Sequence, residues 1–313
     1  MPPYYMETKV RSQINDLSTK PDYLKCVERV EAWFQGEILE RVPIRFHRHN
    51  TEYETAHASE HETLRDQWFD TEYQADDFLR SIKGMRFNAE NFPIYMLNVG
   101  PNAYAAFHGG DMTFEETTSW YYEIIHNYDT DLSKINFSKE NVFYKKLMEL
   151  TDVALQKCGD KFLVGYPDLH PGLDCALAWR GTNNLCMDLM LDRGNAQKLF
   201  NLGNNHFLEV YDDFDRVIKA AGMPSRTWMN LPIPNGRMHI PSADFSSYNG
   251  YMAWLMIIQL CNIWILSAMY NRKTAESSSI WLKKTWMNTW NECCQKTISS
   301  GLLPKAKKKK WRL

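Results

Sequence analysis

The chain has 313 residues, 44% of them hydrophobic, and a net charge of −2. That is enough apolar material for one large domain or two smaller ones, it excludes a disordered chain, and near-neutrality gives no global pull toward nucleic acid. The cysteines (Cys26, Cys158, Cys175, Cys186, Cys261, Cys293 and Cys294) include no C-x-x-C pair and read as reduced thiols. The opening residues MPPYYMETKVRSQ lack a signal-peptide core, so a cytoplasmic location is expected.

In chain order, an amphipathic helix begins near Pro21 and breaks at Gly36, with Tyr23, Cys26, Val27, Val30, Trp33 and Phe34 at helical spacing. A first strand is expected over Val42–Asn50, then a polar helical stretch over 51–84 with Leu64, Trp68 and Phe78 as core contacts. A second apolar strand, Phe92–Val99, stops at Gly100 and Pro101. A helical segment is expected around Phe114 to Ile125. Phe143, Leu147, Leu150, Ala154 and Cys158 predict a helix closed by Gly159.

The most informative stretch follows, KFLVGYPDLHPGLDCALAWRGTNN over Lys161–Asn184. Phe162, Leu163 and Val164 form a short continuous apolar run, as in a parallel strand covered on both faces. The loop carrying Asp168 and His170 sits at its C-terminal end, and Pro171 suits the first turn of a helix that Gly181 ends. Phe200, Phe207, Tyr211, Phe214 and Ile218 are expected on one helical face ending near Gly222. Arg226–Asn230 and Ser242–Ser247 read as two more short strands. Strands separated by helices argue a parallel α/β sheet or barrel, and the lack of G-x-G-x-x-G or a P-loop weakens any nucleotide reading.

Residues 251–313 differ in character. They hold 11 Lys or Arg against Glu276 and Glu292, a charge of +9 that leaves −11 for residues 1–250. Two units are therefore expected, 1–249 as the α/β unit and 250–313 as an apolar then basic tail. Residues 251–270 are uncharged and long enough to span a bilayer, with Arg272 and Lys273 just beyond, so a membrane anchor stands beside a divergent or out-of-frame tail. The terminal KAKKKKWRL is one basic cluster without a nucleic-acid fold around it, and no nucleic-acid partner is expected.

The ordered set RVPIRFHRHN, LRDQWFD, FPIYMLNVGPNAYAAFHGG, FLVGYPDLHPGLDCALAWRGTNNL and SADFS resembles the uroporphyrinogen decarboxylase superfamily, in particular uncharacterised decarboxylase-like members, from about Asp22 to Ser247. The resemblance implies a (β/α)8 TIM-type barrel with its site at the strand C-termini. Five strands are recognisable, so the barrel is expected to be incomplete after the fifth. An open barrel of this kind exposes edges, and a homo-oligomer is expected of it.

The family's members include cofactor-free porphyrinogen decarboxylases and zinc-dependent methyltransferases that act on corrinoid proteins. Carried over, the decarboxylases' Arg-Gln-Ala-Gly-Arg-Tyr motif falls on Arg48, His49, Asn50, Thr51, Glu52 and Tyr53, with Glu52 where a second Arg stands in the family. Their pyrrole-contacting aspartate falls on Asn98 and a substrate-facing tyrosine on Leu177. No His-x-Cys zinc motif of the methyltransferases occurs. The resemblance therefore implies a carboxy-lyase of porphyrin-metabolism type, without cofactor or metal, acting on a porphyrinogen-like or other small anionic metabolite. Asp168, His170 and Asp244 are its candidate catalytic residues, and His47, Arg48, His49, Asn50, Asn98, Tyr104 and Trp228 its candidate substrate-binding residues. A catalytically silent truncated barrel and a corrinoid-linked methyltransferase relative are the alternatives. Asp174 and Arg180, six apart on one helix, read as a structural pair, and His108 and His206 as structural or solvated.

Overall fold

A computed structural model of the chain describes residues 16–45, 60–227 and 229–233. All of them belong to one compact unit, Met1–Ser246. Its described elements, in order, are α1 (Tyr23–Phe34), α2 (Leu64–Phe69), α3 (Thr71–Ser81), β1 (Ile94–Tyr95), α4 (Ala103–Ala106), β2 (Met112–Phe114), β3 (Ser119–Tyr121), α5 (Tyr128–Asp131), α6 (Val142–Cys158), β4 (Leu163–Val164), α7 (Leu173–Arg180), α8 (Thr182–Leu191), α9 (Arg193–Asn204), α10 (Phe207–Ala220), β5 (Ser225–Arg226) and β6 (Pro232–Ile233).

The fold is mixed α/β, rich in helix and poor in strand. Among the described residues the strands form three two-stranded sheets and no closed barrel. One sheet is parallel: Ile94 pairs with Leu163 and Tyr95 with Val164. Leu163 N–H donates to the Pro93 carbonyl and Gly165 N–H to the Tyr95 carbonyl, both at 2.8 Å. The pair is buried on both faces, as the apolar run Phe162–Val164 requires.

Helix α6 supplies the crossover into β4. The Asn141 side chain accepts from Phe143 N–H at 2.9 Å and caps its start, and Gly159 at φ 49° ends it where a side chain would be strained. Its apolar face meets α3 on one side and α10 on the other. Phe78 of α3 stacks on Tyr95 at 4.5 Å and meets Phe162 edge-on at 5.0 Å, so α3 covers the parallel pair. Tyr144 of α6 donates to Asp213 of α10 at 2.6 Å, and its ring lies 6.0 Å from Phe214. Among the described residues the cysteines Cys26, Cys158, Cys175 and Cys186 are free thiols.

Several expected elements differ. The stretch 114–125 is not helical: β2 and β3 form an antiparallel hairpin with Met112 opposite Tyr121 and Glu115 N–H donating to the Thr118 carbonyl. Thr117, Thr118, Trp120 and Tyr121 are β-branched or aromatic, and they prefer a pleated surface to the crowded turn of a helix. Phe200 lies on α9 and not on the face of α10, because the chain breaks at Asn205 and His206 after a run of residues whose side chains compete for backbone groups. The strand expected over 226–230 is instead the end of β5 and a turn. β5 and β6 pair antiparallel, closed by Thr227 N–H to the Leu231 carbonyl at 2.8 Å.

Within Val42–Arg45 only Arg45 bridges, to Ala89, and the rest of that expected strand lies outside the described residues. Leu64 is 36% exposed and is not a core contact. The expected strand 242–247 and the tail also lie outside the described residues. No helix among the described residues is long and apolar enough to cross a membrane.

Candidate functional site at the C-terminal end of β4

Strand β4 delivers Tyr166 and Asp168 to the end of the parallel pair, and the turn Leu169–Gly172 leads into α7. Three side chains meet there. His170 Nε2 lies 2.9 Å from Asp168 Oδ2, and its Nδ1 lies 3.6 Å from Asp174 Oδ2. The His170 side chain is 7% exposed, Asp174 10% and Asp168 16%, which makes Asp168 the outermost member. Burial alone would lower the pKa of His170, but the two carboxylates outweigh it and raise it to about 10. The imidazole is therefore a cation at neutral pH, and it has the form of a proton donor and not of a base.

The backbone around the cluster is fixed by close packing. Cys175 Sγ contacts the His170 carbonyl at 3.1 Å. Gly203 of α9 sits so close to the start of α7 that a Cβ there would lie 2.8 Å from both Cys175 Cβ and the Gly172 carbonyl oxygen.

A buried cation stands on the same strand end. Arg226 of β5 is 1% exposed. Its Nη2 donates to the Tyr166 carbonyl, and its Nη1 donates to the Thr227 carbonyl and to Asn230 Oδ1, each at 3.1 Å. The side chain lies across Gly165, where a Cβ would come within 2.7 Å of Arg226 Cδ and closer still to Nε. Burial lowers its pKa to about 10, with Asp168 among the groups that hold the charge in place, so the guanidinium remains protonated at neutral pH. Beside it the Tyr166 ring stacks on Tyr211 at 5.3 Å, and the Tyr166 hydroxyl donates to Asp215.

The structure brings Asp168 and His170 together. Asn98 is half-buried, and its Oδ1 accepts from Gly100 N–H at 2.7 Å, closing an Asx-type turn after β1. Tyr104, on α4, is fully buried among Phe107, His108 and Phe207. His47, Arg48, His49, Asn50, Trp228 and Asp244 lie outside the described residues.

Asp174 and Arg180 do not pair with each other. Asp174 turns to His170, whereas Arg180 binds Asp188 at 2.6 Å and the carbonyls of Ile125 and His126. In the sequence Asp174 reads instead as Arg180's partner; its i, i+4 spacing from His170 across a helix start is the signal that could have placed it beside the imidazole. Arg226 carried no local signal for this place, because Tyr166, whose carbonyl ties it to the strand end, lies 60 positions earlier in the chain.

Among the described residues no group of three or more His, Cys, Asp or Glu side chains is placed to hold a metal ion. An open groove of about 620 Å³ lies at the other, N-terminal end of β4, lined by Ser18, Thr19, Arg80, Lys83 and Lys161 among others. None of the candidate site residues borders it, and its lysines and arginine meet no buried polar group of the strand-end cluster. The polar groups gathered at this strand end are Asp168, His170, Asp174 and Arg226. No family model matches the chain, and no curated protein and no solved structure matches it.

Proposed function

We propose that the strand-end cluster serves a uroporphyrinogen decarboxylase-like reaction, the cofactor-free removal of a carboxylate from a porphyrinogen-like or other small anionic metabolite. The observation that carries the proposal is the Asp168–His170–Asp174 cluster at the C-terminal end of a parallel strand. Breaking a carbon–carboxylate bond releases CO2 and leaves an electron pair on carbon, which must be stabilised and then protonated. His170, held as imidazolium between two carboxylates, stores the proton, and Asp168, the more exposed partner, passes it outward. In this reading Arg48 binds an acidic group of the substrate. Asn98 and Tyr104 are the groups that orient it.

The test is CO2 release from uroporphyrinogen by the purified chain under reducing conditions. Release should fall about 100-fold or more in Asp168→Asn and in His170→Ala, the range typical of a lost acid–base group. No release by the wild-type chain, or release indifferent to both substitutions, would sink the proposal.

A catalytically silent form of the same fold is the second reading. It is favoured by one observation, that the described strands make three separate two-stranded sheets. The same assay separates the two.

A further inference from the structure

We propose that Arg226 is the receptor for a carboxylate of the ligand bound at the strand-end site, which rests on the decarboxylase reading for its location and deepens it by naming the group that holds the substrate's anion. The argument begins with charge. Lys20 and Arg29 are also deeply buried, but Lys20 binds Asp22 at 2.9 Å and Arg29 binds Glu90 at 2.5 Å. Among the described residues Arg226 has no carboxylate at ion-pair distance. Its hydrogen-bond partners are two backbone carbonyls and one amide oxygen, and Nε has no hydrogen-bond partner. Removing a guanidinium from water is costly unless an anion compensates it, and neutral carbonyls supply only part of that compensation. The nearby Asp168 contributes charge from beyond ion-pair distance and compensates the guanidinium only in part, while its Oδ2 is held by His170 at 2.9 Å.

Position supplies the second step. Arg226 is laid across Gly165, where any side chain would collide with it, and is tied to the Tyr166 carbonyl at the end of β4. The guanidinium is thereby fixed at the same strand end as Asp168. Guanidinium N–H groups lie in one plane and match the two oxygens of a carboxylate, which is why Arg is suited to this task. Asn230, half-buried and at φ 55° in the turn of the β5–β6 hairpin, is the polar partner whose withdrawal opens Nη1 to a ligand. The stacked rings of Tyr166 and Tyr211 give the bound group a flat neighbour.

The experiment follows the melting temperature of the full chain as malonate, and separately inorganic phosphate, is titrated. Malonate should raise it saturably in the wild-type chain and in His170→Ala, and the rise should be lost in Arg226→Gln. Gly165→Ala provides an independent variant if Arg226→Gln does not fold, because it displaces the guanidinium without removing its charge, and it too should abolish the rise. A wild-type chain indifferent to malonate, or a rise that survives in Arg226→Gln or in Gly165→Ala, overturns the assignment. A rise with phosphate alone overturns the carboxylate class. Malonate binding without CO2 release would remove the decarboxylase reading and leave the receptor standing.

Discussion

Two buried histidines show how residue-scale surroundings decide protonation. His170 sits between carboxylates and is held cationic up to about pH 10. His108, 2% exposed among Tyr104, Phe137 and Trp179, is pushed by burial down to about 4 and is neutral. The signs for stability are opposite. For His170 the folded value lies above the ordinary 6.5, so its contribution is complete below 6.5 and is lost as pH rises through about 10. For His108 the folded value lies below 6.5, so stability is present above that value and is lost as pH falls through about 4. Ring-proton NMR should find neither histidine titrating near 6.5. The difference in melting temperature between wild type and His170→Gln should shrink from pH 6.5 toward pH 10. An imidazole of His170 that titrates near 6.5 would contradict the ion cluster. Asp168 and His170 were legible in the sequence because they follow an apolar strand at once and precede a helix start. Arg226 was not, since only the folded chain lays it over Gly165.

At the scale of elements, local signals predicted α1, α6, β4 and α7 well. Each has a strong period or a sharp stop, Gly159 and Gly181 being such stops at positive φ. The β2–β3 hairpin was missed because its apolar and aromatic residues also fit a helical spacing, and no Asn-Gly or Asp-Gly turn marks it. The α9–α10 break was missed for a similar reason. Phe200 and Phe207 stay in phase across it, so periodicity cannot see the bend.

The α9–α7 contact then becomes the element to test. Gly203→Ala would place a Cβ 2.8 Å from the Gly172 carbonyl oxygen and from Cys175 Cβ, and backbone cannot yield there as a flexible side chain would. Overpacking of this kind costs about 1–3 kcal/mol. Because Cys175 also contacts the His170 carbonyl, the substitution should lower the midpoint of denaturant unfolding and the NMR pKa of His170 together. A lowered midpoint with an unmoved His170 would show that the helix contact does not support the cluster.

At the scale of the whole molecule the charge division governs what can be asked. Residues 1–250 carry −11 and residues 251–313 carry +9, and the uncharged run 251–270 ends just before Arg272 and Lys273. A span of about 20 residues is what a bilayer core typically requires, with a rise of about 1.5 Å per residue. This run places Gln259 and Asn262 near its middle, where amide groups need partners that lipid does not offer. Those two amides would oppose spanning, while the flanking cations would favour surface attachment to anionic lipid, an attraction that salt and alkali weaken. Membranes from cells making the full chain should therefore release it on washing with alkaline carbonate. Retention in the pellet, abolished when the chain is cut after Ser247, would instead establish residues 251–270 as a true span, because only burial in hydrocarbon resists both the wash and the loss of charge attraction.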